Sequence, residues 1–378
     1  MESKVSKAFE GSFSTLKDPR LDRKKLYPLM EVLFVVLCGS VCGAESWRDY
    51  VLFGKEKIGF LSQYFPFENG IPSKNTFARV FALLEPEAFK ACFVEWVKTF
   101  QVALNEVIAI DGKTLRGSLD NASGSSAIHM VSAFATSTRL VLAQQKVDEK
   151  SNEITAIPKL LDLLDLTGHI VTIDAMGCQT EIAKKIVEKG GDYILALKGN
   201  QGTLSEDVRL FLESEAAKKG SMIIEDENVD VDCGHGRIEK RRCLVTSQVD
   251  WLTQKSKWAG LQTILMIEET QEIGEKISVE RRFFISSLPP NAKKITEAVR
   301  AHWLVENALH WTLDVVFNED YSRVRKDHAP ENMALIRHVV LNMLNNAKKN
   351  FKDLGIKSLR KKAAWGDATL QFILQQNF

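Results

Sequence analysis

The chain has 378 residues, 45% hydrophobic and 26% charged, and its 50 basic and 49 acidic side chains leave a formal net charge of +1. At roughly 100 to 200 residues per domain it accommodates two or three domains with real cores, and its composition excludes a disordered or fibrous protein. The longest uncharged apolar run, Val32 to Ala44, falls short of the roughly 20 residues of a membrane-spanning helix. No apolar export signal follows the first charges, so a cytoplasmic protein with no membrane partner is expected.

Apolar residues recur at helical spacing over Leu26 to Gly39, Trp47 to Phe60, Thr76 to Leu84 and Pro86 to Phe100, which predicts a helical domain in residues 1–104. Pro72-Ser73 ahead of Thr76, Phe77 and Val80, with Glu85-Pro86 opening the next helix, has the pattern of a DNA-binding helix-turn-helix. A plain bundle packed on the next domain satisfies it equally. At Val107 the period changes. Short β-rich runs at Val107 to Ile110, His129 to Ala135 and Leu140 to Gln145 predict an antiparallel meander. A helix at Ile157 to Leu166, a buried strand Ile170 to Asp174, a helix at Thr180 to Lys189, a strand Tyr193 to Leu197 and a helix from Leu204 follow. The order βββαβαβα is that of a ribonuclease H-like α/β core, whose mixed sheet has helices on both faces and its first strand inside. Residues 105–220 are its first part.

Residues 221–290 read as a β-rich insertion, with runs at Met222 to Ile224, Ile238 to Val245, Gln262 to Thr270 and Lys276 to Ser286. Pro289-Pro290 closes it, and Asn291 is positioned to cap a helix from Ala292 to Phe317. Residues 291–350 complete the core, with a helix from Ala334 to Lys349, and residues 351–378 are a basic helical tail containing a helix from Ser358 to Gln375. Charge is segregated along the chain: Arg337 to Ala363 holds eight basic residues against Asp353, and Leu204 to Asp232 is strongly acidic. Six scattered cysteines form no C-x-x-C pair or zinc spacing, so free thiols are expected.

Asp111 ends the first strand in VIAIDGKTLRGS and Asp174 ends a later one in HIVTIDAMGCQT. In this topology those strands are neighbours, so two carboxylates meet at the same sheet edge, where a cation between them relieves their repulsion. Either Asp alone could simply cap a turn. Helical spacing places Glu306 on a face with Val299, His302, Trp303, Leu309, His310 and Leu313, an apolar and aromatic surface on which a carboxylate needs a partner. His302 and His310 flank it and read as donors to that carboxylate or to DNA phosphate, since magnesium prefers oxygen. Three carboxylates from two strands and a helix supply hard oxygen ligands for two Mg2+ ions about 4 Å apart, an arrangement suited to in-line attack on a phosphodiester, with Mn2+ as a substitute.

IDGKTLRGS, IDAMGCQ, LALKGNQ, GHGRIEKR and HWLVENALHWTLDVVFNED, in that order, resemble the DDE transposases of the H-repeat-associated insertion-sequence family, over about Asp18 to Asn346. The resemblance implies that Asp111, Asp174 and Glu306 are the catalytic and metal-holding triad. It implies that the partners are double-stranded DNA, as terminal inverted repeats and target, and a second copy of the chain in a homodimer. The broader signature of related transposases has Tyr, Arg and Lys where this chain has Val299, His302 and Leu313, which leaves open who contacts the phosphates. Candidates are Lys198, Asn200 and Gln201 at the acidic edge, His235 and Arg237 in the GHGR turn, His302 and His310 on the helix, and Arg323 and Arg325 with Lys326 and the basic C-terminal run. Asp314, one turn beyond, reads as structural. A copy that binds DNA without transposing, a regulator using the N-terminal helices, and a ribonuclease H-like nuclease are the alternatives.

Overall fold

A computed structural model describes residues 4–100, 102, 105–119, 126–148, 151–218, 221–234 and 237–378. Among the described residues six α-helices precede the first strand: α1 (Lys4–Phe13), α2 (Leu29–Val41), α3 (Trp47–Glu56), α4 (Ile58–Leu61), α5 (Lys74–Leu83) and α6 (Pro86–Val97). Periodicity missed α1, where Val5, Phe9 and Phe13 recur every fourth residue and are buried. Ser46 and Asp49 form a capping box at the start of α3, the Ser73 hydroxyl accepts from the Thr76 N–H to start α5, and Pro86 stands at the first position of α6. The helix expected to run unbroken from Trp47 to Phe60 is interrupted at Lys57. α6 turns Phe89, Cys92, Phe93 and Trp96 inward and exposes Glu87, Ala91 and Glu95. Glu87 and Glu95 on that outer face pair with Lys90 and Lys98, so it carries no net acidic charge, and both the plain bundle and the helix-turn-helix remain open readings of these helices.

Nine strands then form one sheet among the described residues, in the order β3-β2-β1-β4-β5-β9-β8-β7-β6. β1 (Val107–Thr114), β2 (His129–Ala135) and β3 (Leu140–Lys146) are the antiparallel meander. β4 (Ile170–Ile173), reached through α7 (Glu153–Asp162), pairs in parallel with β1. β5 (Asp192–Leu197), reached through α8 (Thr180–Glu188), pairs in parallel with β4. After α9 (Gly202–Ala216), β6 (Asp226–Gly234), β7 (Arg237–Thr246), β8 (Thr263–Ile273) and β9 (Lys276–Ser286) run antiparallel, and β9 joins β5, so these strands continue the same sheet. Met222 to Ile224 is not a strand; Met222 is 98% exposed and has nothing to pack against.

Alternate residues of β4 and β5 point into two cores. Val171, Ile173, Tyr193 and Leu195 join the large core under α7, α8 and α9. Ile170 and Ile194 join a smaller one with Val245, Leu265 and Phe284 under α10 (Ala292–His302). Helices therefore cover both faces, as a sheet with buried strands requires. Asn291 caps α10 by accepting from the Lys294 N–H. A π turn over Val305–His310 and α11 (Trp311–Val315) follow, so the helix expected from Ala292 to Phe317 has a wider turn in its middle.

α12 (Ala329–Lys348), α13 (Ile356–Trp365) and α14 (Asp367–Gln375) close the chain order. The expected helix from Ser358 to Gln375 is thus two, broken at Gly366. α12 packs against α2, α5 and α6 and caps the edge strand β3, where Asn342 accepts from the Val141 N–H and donates to its carbonyl, each at 2.8 Å. The N-terminal and C-terminal helices form one layer at that edge. No helix among the described residues is long and apolar enough to cross a membrane.

Candidate active site

β1 and β4 pair as far as Ile110 and Ile173, and the next residues of the two strands are Asp111 and Asp174. Adjacent strands lie roughly 4.8 Å apart, so the register alone brings these carboxylates to one edge. Asp111 does not end its strand: β1 runs on to Thr114 against β2, with Asp111 opposite Ser132. Asp174 does follow the last residue of β4, and its Oδ1 accepts from the Met176 and Gly177 N–H groups at 3.0 and 3.3 Å. That turn fixes one oxygen. A side chain at Gly177 would stand 2.3 Å from the Ile173 side chain, which is why the loop needs glycine there.

Glu306 reaches the same cleft by way of the π turn. Helical spacing put it on the packing face, but Val305, Leu309 and Leu313 occupy that face, each at most 1% exposed, and Glu306 is exposed. Val299, His302 and Trp303 line the cleft with Glu306, as helical spacing places them, whereas the wider turn over Val305–His310 takes Leu309 and Leu313 off its face. Glu306, Asp111, Asp174, Lys198, His302 and Arg282 all line one cleft. Burial, reinforced by Glu153, Asp174 and Glu306 and opposed by the Gly112 N–H, pushes the Asp111 carboxyl up to about 7. Burial is the main cause and the neighbouring carboxylates add to it, an environment that a divalent cation held by these oxygens would relieve. Among the described residues, however, no three acidic, His or Cys side chains are already gathered tightly enough to ligate one ion, so closing on metal takes side-chain movement.

His310 Nδ1 lies 3.5 Å from Asp111 Oδ2, and burial, with Lys113, His129 and His302 nearby, drives its pKa down to about 4. His302 shares a hydrogen with Thr172 Oγ1 at 3.0 Å, and burial likewise lowers its pKa. Both imidazoles thus bring hydrogen-bonding capacity and no positive charge at neutral pH. Lys113, two residues from Asp111 and on the same face of β1, is within 2.7 Å of Asp314, 3.1 Å of Asp320 and 3.5 Å of Glu319. Asp314 is accordingly structural. Gly112 faces the opposite way, where a Cβ would meet Glu153 Oε1 at 2.1 Å and His129 Nε2 at 2.5 Å.

Residues 103–343 match the family described as Transposase DDE domain, and residues 11–97 match the DDE_Tnp_1-associated family. The chain is 42% identical to the H repeat-associated protein YhhI of Escherichia coli strain K12, over 93% of each chain. It is 40% identical to YncI of Escherichia coli O157:H7, over 96% of this chain and 93% of that one. The chain belongs to the H-repeat-associated DDE transposases. Among solved structures, a piggyBac transposase synaptic complex with hairpin DNA covers 98% of this chain and 77% of its own at a TM-score of 0.42 and 11% identity.

The remaining candidate residues of this transposase are less uniformly placed. Lys198 is exposed on the cleft wall. Asn200 Nδ2 donates to the Ala175 carbonyl at 2.6 Å and Gln201 Nε2 to that of Cys178, so both amide donors are committed to holding the Asp174 loop. Arg237 pairs with Glu239 at 2.8 Å, and His235 lies outside the described residues. Arg323 is exposed, and Arg325 Nε donates to the Gly117 carbonyl at 3.1 Å. Two cations of the basic C-terminal run are internal, which corrects its reading as a continuous DNA-facing surface. Arg337 pairs with Glu319 at 3.1 Å. Arg360 donates to the Val316 and Ser40 carbonyls and stacks over Phe317. Sequence reasoning also passed over Lys113, His129, Glu153 and Arg282. Of these only Lys113 had a signal, the period-2 spacing that puts it beside Asp111. All six cysteines are free, as expected.

Proposed function

We propose that the transposase binds the terminal inverted repeats of its own element, hydrolyses phosphodiesters there to free 3′-hydroxyls, and transfers those ends to target DNA. The observation that carries this reading is the delivery of Asp111, Asp174 and Glu306 to one cleft by two adjacent parallel strands and a π turn. The strand order β3-β2-β1-β4-β5, with its first three strands antiparallel, supports a ribonuclease H-like core. The three carboxylates are the groups that would hold two Mg2+ ions, or Mn2+ in their place. Bound there, the ions supply charge stabilisation to the attacking and leaving oxygens of an in-line displacement.

The chain's own residues prepare the site. The turn after β4 orients Asp174, His310 stands behind Asp111 without adding charge, and the Lys113 ion pairs fasten β1 to α11 and to the segment beyond it. Lys198 on the cleft wall offers a cation to a phosphate, and Arg237, Arg323 and Arg325 are candidate backbone contacts farther out. Residues 105–220 and 291–350 act as the catalytic core in this reading, and two copies hold the two element ends together.

The test is cleavage of a plasmid carrying the gene's native flanking DNA, with Mg2+ or Mn2+, by the intact protein, Asp174→Asn and Glu306→Gln. Metal-dependent nicking at the element boundaries, lost in both variants, is the expected result. DNA binding without nicking, unaltered by either substitution, overturns the reading in favour of a DNA-binding protein that no longer transposes.

A further inference from the structure

The helix that carries Glu306 has a second face that the proposed chemistry leaves unused. Trp303, Asn307, Trp311 and Val315 recur at every fourth residue along it and are exposed, the two indoles at 46% and 56%. Two grooves open on this stripe and share Leu304 and Asn307 as walls, so they form one trough along the helix. Its first half includes Trp303, which also lines the acidic cleft, and is flanked by Arg237, Arg241, Arg282 and Arg300. Its second half includes Trp311 and is flanked by Arg139, Lys348 and Lys357, with no acidic side chain among its walls. Glu239 and Glu269 are the acids of the first half and already pair with its arginines, so the excess positive charge is concentrated around Trp311.

We infer that this trough holds a single-stranded stretch of DNA leading into the acidic cleft, with bases stacked on Trp303 and Trp311 and phosphates on the flanking cations. The inference rests on the DNA-cleaving reading above. Charge complementarity selects a polyanion. The indoles select an unpaired strand, because the bases of a duplex cover one another's faces and leave none for a side chain, whereas a cationic groove with aromatic platforms is how proteins hold single strands irrespective of sequence. Arg282 sits 4.9 Å above the Trp303 ring, covering one face of that indole and leaving the other for a base. Eight residues that include the π turn set the two indoles on the order of 10 Å apart along the axis, so one short segment of strand reaches both.

The test is fluorescence anisotropy of a labelled oligothymidylate of roughly 15 nucleotides, with the full chain in EDTA, in parallel with a duplex of the same length. The expected result is that Trp311→Ala weakens single-strand binding about ten-fold and leaves duplex binding within about two-fold, while Trp311→Phe retains most of the affinity and controls for folding. Equal single-strand binding by Trp311→Ala, or an equal loss for single strand and duplex, overturns the inference. So does a change in self-association on sedimentation with single-strand binding intact, which would make the stripe a contact between copies. Failure of the cleavage reading shows elsewhere, in boundary nicking by Asp174→Asn, and the two outcomes are separable.

Discussion

Replacing Asp111 with Asn should make the metal-free protein more stable while destroying the proposed site. Burial, followed by the neighbouring carboxylates, holds the Asp111 carboxyl at about 7 against an ordinary value of 3.8. Between those values the folded chain keeps a proton that the unfolded chain has released, so stability falls as pH rises through this window. The penalty is absent below about pH 4 and complete above about pH 7. Some three units at 1.36 kcal/mol each set a ceiling of about 4 kcal/mol. Because the side chain is still 21% exposed, solvent screening should leave about 2 kcal/mol of it. Asn keeps the shape and an oxygen for the Gly112 N–H but cannot ionise. Urea unfolding in EDTA, followed by circular dichroism from pH 4 to 8, should show the two proteins coinciding at the acid end and Asp111→Asn ahead by about 2 kcal/mol at pH 8. Millimolar Mg2+ at pH 8 should then stabilise the wild type and not the variant. Parallel stability curves across the whole range would refute the argument that Asp111 is held protonated by burial among neighbouring carboxylates.

Lys113→Met removes the shared partner of Asp314, Asp320 and the buried Glu319. It should cost about 3 kcal/mol in urea unfolding, as breaking a buried ion pair does, and a loss under about 0.5 kcal/mol, the level of an ordinary surface substitution, would show that the network is solvated. Gly112→Ala drives a methyl group into Glu153 and His129 and should lower boundary cleavage by displacing β1. Adding Glu153→Ala should restore part of that activity, and a double variant no better than the single one would place the damage elsewhere.

The strands bearing the acids were legible because each is a buried apolar run that stops at a carboxylate, and alternating strands and helices leave few ways to build a parallel pair. Glu306 was legible together with its neighbours Val299, His302 and Trp303, but a 3.6-residue period cannot anticipate a π turn, and the phase error put Leu309 and Leu313 on its face although they pack inward. Arg282 and Glu153 had no local signal, because Arg282 enters the cleft on β9 beyond its pairing with β5, and Glu153 reaches Gly112 only across the sheet. Arg337 and Arg360 looked like part of a solvated basic run because sequence does not reveal what covers a side chain. Glu319 and the end of α11 cover these two. Asn200 and Gln201 emerged at the right edge, but the carbonyls that claim their amides belong to a loop some twenty residues earlier, within the roughly 30-residue reach of a strand-helix-strand unit.

The β5–β9 pairing has a mechanical consequence. Every strand from β3 to β6 is bonded to the next, and the long outer strands bring Arg237 near their tip into the groove that Trp303 and Arg282 share with the acidic cleft. Through β9 the hydrogen-bonded ladder thus joins the outer hairpins directly to β5 and, one strand farther, to the Asp174 strand, so a load on those hairpins would reach the acidic cleft through paired backbone.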